Sequence, residues 1–117
     1  MTGLYAHIPF CSVKCFYCDF AAYSGQNKLA DRYLAALEAE AALHSTANPE
    51  TLYVGGGTPS ELTAPQISDL FARLRRAYPK SRFVESTFEG NPESLDDEKL
   101  AVLAREGVTR LSIGLQT

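Results

Sequence analysis

Short apolar runs alternate with helix-like segments along the sequence, and this order restricts the fold more than any other feature. Leu4–Ile8 reads as a strand ended by Pro9. Leu29–His44 reads as a helix with Leu34, Leu37 and Ala41 on one face. Thr51–Val54 is a second strand that runs into Gly55, Gly56 and Gly57. The next helix carries the fullest signature. Thr63 and Gln66 have capping-box spacing, Ile67, Leu70, Phe71, Leu74 and Tyr78 follow one core-facing stripe, and Pro79 stops it. Phe83–Glu89 is a third strand. Ser94 or Asp96 caps a third helix through Arg105, with Leu100, Leu103 and Ala104 inward and Gly107 as its C-terminal stop. Arg110–Gln116 is a fourth strand. The order β-α-β-α-β-α-β specifies an α/β fold of about four parallel strands and three helices, joined by right-handed crossovers. The last two strands start about 27 residues apart, the spacing of repeated βα units.

A doubly wound sheet and a barrel both fit that order, and the strand faces separate them. Tyr5 and His7 share one face of the first strand, opposite Leu4, Ala6 and Ile8. Glu85, Thr87 and Glu89 share a face of the third, and Ser112, Gly114 and Gln116 oppose Leu111, Ile113 and Leu115 in the fourth. A doubly wound sheet is covered by helices on both sides and reads apolar throughout. One apolar and one polar or small face on each of these three strands suits a barrel with a polar ligand in its lumen, or a sheet with one solvated face. A barrel needs more than four strands. The expectation is that residues 1–117 are the N-terminal part of a longer core domain.

Hydrophobic residues make up 45 % of the chain, enough to form a core and too many for a disordered segment. The net charge of −3 comes from scattered acids and bases. No basic stripe invites nucleic acid, and no apolar run approaches the roughly 20 residues of a membrane helix. The N-terminus has no secretory pattern. All three cysteines lie within eight positions, an odd and clustered set unlike a disulfide framework. A reducing compartment, the cytoplasm, is expected.

Those cysteines are the chemical centre of the sequence. Cys11, Cys15 and Cys18 follow the first strand with the spacing Cys-x3-Cys-x2-Cys. Three thiolates on a tight loop can each take one corner iron of a 4Fe–4S cubane and leave the fourth iron without a protein ligand. S-adenosylmethionine (SAM) can chelate that iron, and an electron from the cluster can then cleave its sulfonium bond to give a 5′-deoxyadenosyl radical. Two other readings use the same residues. Zinc can be held by three cysteines and His7, although Cys-x3-Cys is unusual for zinc. The thiols can also be merely buried or redox-active.

Tyr5-Ala6-His7-Ile8-Pro9-Phe10-Cys11, the cysteine triplet and the glycine run together resemble the radical SAM branch that contains oxygen-independent coproporphyrinogen III oxidase and the haem chaperone HemW. The resemblance covers essentially the whole chain. It implies the first part of a partial (β/α)6 radical SAM barrel that carries a cluster and SAM. Gly55-Gly56-Gly57-Thr58-Pro59 is no Walker loop, since no Gly-Lys-Ser/Thr follows, and alone it could be a tight βα turn. In the resemblance, Gly56, Gly57 and Thr58 hold the amino-acid end of SAM. Glu89, otherwise a solvated acid, accepts hydrogen bonds from the ribose hydroxyls. Gln116, otherwise a surface residue, also contacts the ribose. Tyr5 contacts the SAM carboxylate or is a packed aromatic, and Tyr17 stacks near adenine or shields the cluster. His7 is expected inside the lumen, hydrogen-bonded and not a ligand.

Within that branch, coproporphyrinogen oxidases resemble a pattern with a fourth cysteine two positions after the third. Here Cys18-Asp19-Phe20 stands instead, an ending similar to HemW. The resemblance therefore implies haem trafficking, with haem or porphyrin as partner and a flavodoxin or ferredoxin as electron donor. Oxidative decarboxylation of two propionates to vinyl groups is the alternative. Substitution Cys15→Ala should abolish iron and sulfide incorporation while the circular-dichroism signal of the helices persists. Zinc retained in place of iron by the unsubstituted protein would sink the cluster.

Overall fold

A computed structural model describes residues 3–9, 26–44 and 48–114. Cys11, Cys15, Cys18, Tyr17 and Gln116 lie outside the described residues. Strands β1 (Gly3–Ile8), β2 (Thr51–Gly56), β3 (Glu85–Gly90) and β4 (Arg110–Ile113) alternate with helices α1 (Gln26–Ala42), α2 (Ala64–Ala77) and α3 (Asp97–Arg105). All strand pairs are parallel, in the order β1-β2-β3-β4. Neighbours in sequence are neighbours in space, with no reversal of strand order. A doubly wound sheet has such a reversal at its switch point, whereas a growing barrel does not. The fold is the start of a (β/α) barrel.

One face of this sheet is buried. Ala6 and Ile8 of β1, Leu52 and Val54 of β2 and Phe88 of β3 meet Ala30 and Leu34 of α1, Ile67, Leu70, Phe71 and Leu74 of α2, and Val102 and Leu103 of α3. The register aligns Val54 with Phe88 and Phe88 with Leu111, so the apolar positions form rows across the strands. The opposite face carries Tyr5, His7, Tyr53, Glu89 and Ser112. Tyr5 and His7 on it are exposed. Among the described residues no helix is long and apolar enough to cross a membrane.

Local chemistry explains the helix ends. Gln66 N–H donates to Thr63 Oγ1 at 3.2 Å and Thr63 N–H to Gln66 Oε1 at 2.9 Å, which completes the expected capping box. Gln66 Nε2 also donates to Asp31 of α1 at 3.1 Å. Farther along, Glu38 of α1 bridges Arg73 and Arg76 of α2, and their guanidinium groups hold its carboxyl below the usual range, Arg76 chiefly. For α3 the cap is Asp96, which accepts from Lys99 N–H at 2.8 Å, and not Ser94. Gly107, at φ +86°, ends it in a Schellman motif: Val108 N–H reaches Leu103 O and Gly107 N–H reaches Ala104 O.

Five elements depart from expectation. Helix α1 starts at Gln26 and ends at Ala42, because Leu43 and His44 bond back only three residues. Strand β2 runs on through Gly55 and Gly56, and β3 begins at Glu85 because Val84 N–H leaves the ladder for Glu50 O at 2.8 Å. In α3, Val102 and Leu103 face the core, while Leu100 and Ala104 are exposed along an open groove beside Leu111. The described part of the last strand stops at Ile113, with Leu111 and Ile113 exposed. Substitution Thr63→Ala should cost about 1 kcal/mol, read as a lower urea midpoint at unchanged slope.

Candidate functional site

The chemistry converges where β2, β3 and β4 end, and it starts from glycines. Gly56 has φ +118°, and a Cβ there would lie 2.7 Å from Ile8 O and 2.9 Å from His7 Nδ1. No side chain fits, so β2 closes on the end of β1 by backbone alone. Gly57 N–H then donates to Ile8 O at 2.8 Å. The glycine turn is thereby latched to Ile8, the residue that precedes Pro9 and, farther along the sequence, the three cysteines. Gly55 makes room in the other direction. A Cβ on it would meet Glu89 Oε1 at 2.6 Å and Tyr53 Cε1 at 2.8 Å.

Glu89 occupies that space. Its Oε1 accepts from Gly56 N–H at 3.0 Å and its Oε2 from the Tyr53 hydroxyl at 2.6 Å. The carboxylate at the other end of that bond, with some help from burial, pushes the Tyr53 phenol above its ordinary value; a hydroxyl bond from Ser112 opposes the shift. Tyr53 in turn stacks on Tyr5 of β1, centroids 5.7 Å apart and planes 15° apart. One side chain from each strand thus joins a row across the open face: Tyr5, Tyr53, Glu89, Ser112.

A further network holds the loops behind this row. Buried Ser60 accepts from Asn91 N–H at 2.9 Å and hydrogen-bonds the Ser94 hydroxyl. Lys99 of α3 donates to Ser60 O at 2.7 Å and Ser94 O at 2.9 Å. The loops after β2 and β3 are therefore tied to each other and to α3. No periodicity in the sequence marks Ser60 or Lys99, and Tyr53 reads there only as a strand residue. The pairing of Tyr53 with Glu89 needs the diagonal register of two strands 36 residues apart in the chain.

Between these elements lies a cleft of about 290 Å³, lined by Gly56, Gly57, Thr58, Glu89, Asn91 and Ser112. Four residues expected from the sequence, Gly56, Gly57, Thr58 and Glu89, meet there. Tyr5 does not; it lines a larger cavity of about 370 Å³ beside β1 and α1, with His7, Tyr33, Glu40 and His44. That cavity lacks the convergent strand ends, so the smaller cleft is the better site. His7 corrects another expectation. It shares the face of Tyr5 as parity requires, but it is exposed, with Nδ1 3.5 Å from the Tyr5 hydroxyl. Among the described residues nothing covers the open face at His7. Among the described residues no three His, Cys, Asp or Glu side chains form a metal site.

The cleft's donor set is selective. It carries a carboxylate, hydroxyls and backbone amides, and no Lys or Arg among its lining residues. Polyphosphates would be repelled, whereas a ribose diol and a cationic centre such as a sulfonium suit it. Residues 5–117 match the Radical SAM superfamily. The chain belongs to the radical SAM superfamily. Its members use a 4Fe–4S cluster with SAM, and the acidic, glycine-walled cleft fits SAM. The sequence is 43 % identical to the heme chaperone HemW of Bacillus subtilis, over all of this chain and 32 % of that protein. It is 41 % identical to HemW of Lactococcus lactis over 97 % of this chain and 30 % of the relative. The chain spans about a third of the length of these relatives. Among solved structures, coproporphyrinogen III oxidase (HemN) from Escherichia coli, a radical SAM enzyme, superposes with a TM-score of 0.80 at 36 % identity, over 98 % of this chain and 28 % of that one. In Glu89→Gln the Tyr53 phenol should titrate at lower pH than in the unsubstituted protein, read as the alkaline absorbance difference from Tyr53→Phe. The sign follows from the raised phenol: its bond to Glu89 stabilises the fold at neutral pH and is lost as pH rises through the folded-state value.

Proposed function

We infer that this chain forms the cluster- and SAM-binding part of a HemW-like haem-trafficking protein. The observation that carries the SAM site is Glu89, a carboxylate fixed by Gly56 N–H and the Tyr53 hydroxyl beside a turn that admits no Cβ. In this reading Cys11, Cys15 and Cys18 hold the cluster through their thiolates. Gly56, Gly57 and Thr58 hold the amino-acid end of SAM with backbone groups and one hydroxyl. Glu89 accepts from the ribose hydroxyls, joined by Gln116. Tyr5, which stands beside the cleft and is joined to it by its stack on Tyr53, faces a SAM carboxylate that extends past the cleft's rim, and Tyr17 stacks near adenine or keeps water from the cluster. Together the bound groups supply one-electron cleavage of a carbon–sulfur bond. The residues themselves position the two partners: the glycine latch at Ile8 sets the SAM turn against the strand that leads into the cysteine loop.

Haem trafficking is supported by Cys18-Asp19-Phe20, where a fourth cysteine is absent, and by the names of the relatives. The likeness to coproporphyrinogen III oxidase favours an alternative reading, an enzyme that decarboxylates propionates with an electron from a flavodoxin or ferredoxin. Anaerobic reconstitution with iron and sulfide should give a 4Fe–4S paramagnetic resonance signal that shifts on adding SAM. In Glu89→Gln the SAM concentration needed for that shift should rise about tenfold, the scale of a charge-assisted hydrogen bond. A cluster signal indifferent to SAM would remove the cleft as its site. Haem uptake without conversion of coproporphyrinogen, in a protein carrying this chain at its relatives' full length, separates trafficking from the oxidase.

A further inference from the structure

Tyr53 has no part in the motifs read from the sequence, yet it is the only side chain that bonds the Glu89 carboxylate among the described residues. We propose that Tyr53 is the positioning residue for the ribose-binding carboxylate, an inference that rests on the nucleoside reading of the cleft. A glutamate side chain has three rotatable bonds, and at the rim of a polar cleft it can swing toward solvent. Here each oxygen has its own tether, Gly56 N–H at 3.0 Å on Oε1 and the Tyr53 hydroxyl at 2.6 Å on Oε2. A carboxylate oxygen accepts more than one hydrogen bond, so each keeps a lone pair for a ligand hydroxyl. The tethers therefore set the direction of the acceptors without using them up.

Tyr53 can act as a fixed post because it is itself held. Its ring stacks on Tyr5, and Gly55 leaves the gap through which Glu89 leans back to reach it. Phenylalanine at this position would keep the ring and its stack but remove the hydroxyl. Glu89 would then keep one tether and lose its direction. The cost should fall on ligands that carry the ribose hydroxyls and spare those that lack them, because only the former use the oriented acceptors. A general weakening of the fold would penalise both kinds alike.

The test is calorimetric titration of S-adenosylhomocysteine and of its 2′,3′-dideoxy counterpart into the unsubstituted protein, Tyr53→Phe, Glu89→Gln and the double variant. Tyr53→Phe should weaken S-adenosylhomocysteine about five- to tenfold, within the range of a charge-assisted hydrogen bond. Its affinity for the dideoxy ligand should stay within about twofold, and the double variant should lose no more than Glu89→Gln alone, since both substitutions break one unit. Equal weakening of both ligands, additive losses in the double variant, or no loss in Tyr53→Phe would each overturn the positioning role while Glu89 kept its own. An unsubstituted protein that binds the two ligands alike would overturn the ribose role of Glu89, and this inference with it.

Discussion

The backbone of Gly56 lies so close to the end of β1 that a single Cβ would collide with Ile8 O, and the rest of the site is arranged around that approach. Its positive φ turns the chain out of β2, and the next amide, Gly57 N–H, bonds Ile8 O. Its own amide points the other way, to Glu89. One residue without a side chain therefore links the strand before the three cysteines, the glycine turn and the acid of the third strand. Any L residue there must either abandon the backbone conformation or push β1 away, and in both cases the acid loses a tether.

Rigidity behind the cleft comes from ordinary burial and from polar ties between loops. Phe88 and Glu89 are adjacent on β3; Phe88 is fully buried under the helices, whereas Glu89 lines the cleft. The period of two that anchors one side chain in the core aims its neighbour into the cleft. The Ser60–Asn91–Ser94 bonds, closed by Lys99, then bind the loops after β2 and β3 to the first turns of α3. Lys99 satisfies two loop carbonyls instead of entering the cleft, so Glu89 is the charged side chain among the cleft's lining residues.

Much of this is legible in the residues alone, and the exceptions have physical causes. The alternation of strands and helices, the Thr63–Gln66 box and the Gly107 stop follow from local periodicity and turn chemistry, whereas the grouping of Glu89 with Gly56, Gly57 and Thr58 comes from the family resemblance and the spatial strand order from the assembled sheet. Leu100 and Ala104 depart from the expected inward face because helical spacing alone does not say which flank of α3 meets α2; Val102 and Leu103 do. His7 has the parity of a lumen residue, but parity says nothing about whether the face is covered. Phe83 reads as strand by composition, yet Val84 bonds Glu50 O outside the ladder.

By itself the sequence determined the alternation of strands and helices and the apolar faces that the first and third strands turn to the helices, and it placed three cysteines in a spacing that a cluster with one open iron would use. Each of these depends on residue type and on spacing within a few positions, where backbone geometry leaves few choices. Only the tertiary structure decided that Tyr53 holds Glu89, that Ser60 and Lys99 brace the loops, and that Tyr5 stacks beside the cleft without lining it. Those contacts join residues about 30 to 50 positions apart. They depend on how the strands register and how closely glycine lets them approach, which is a property of the assembled sheet and not of any one segment.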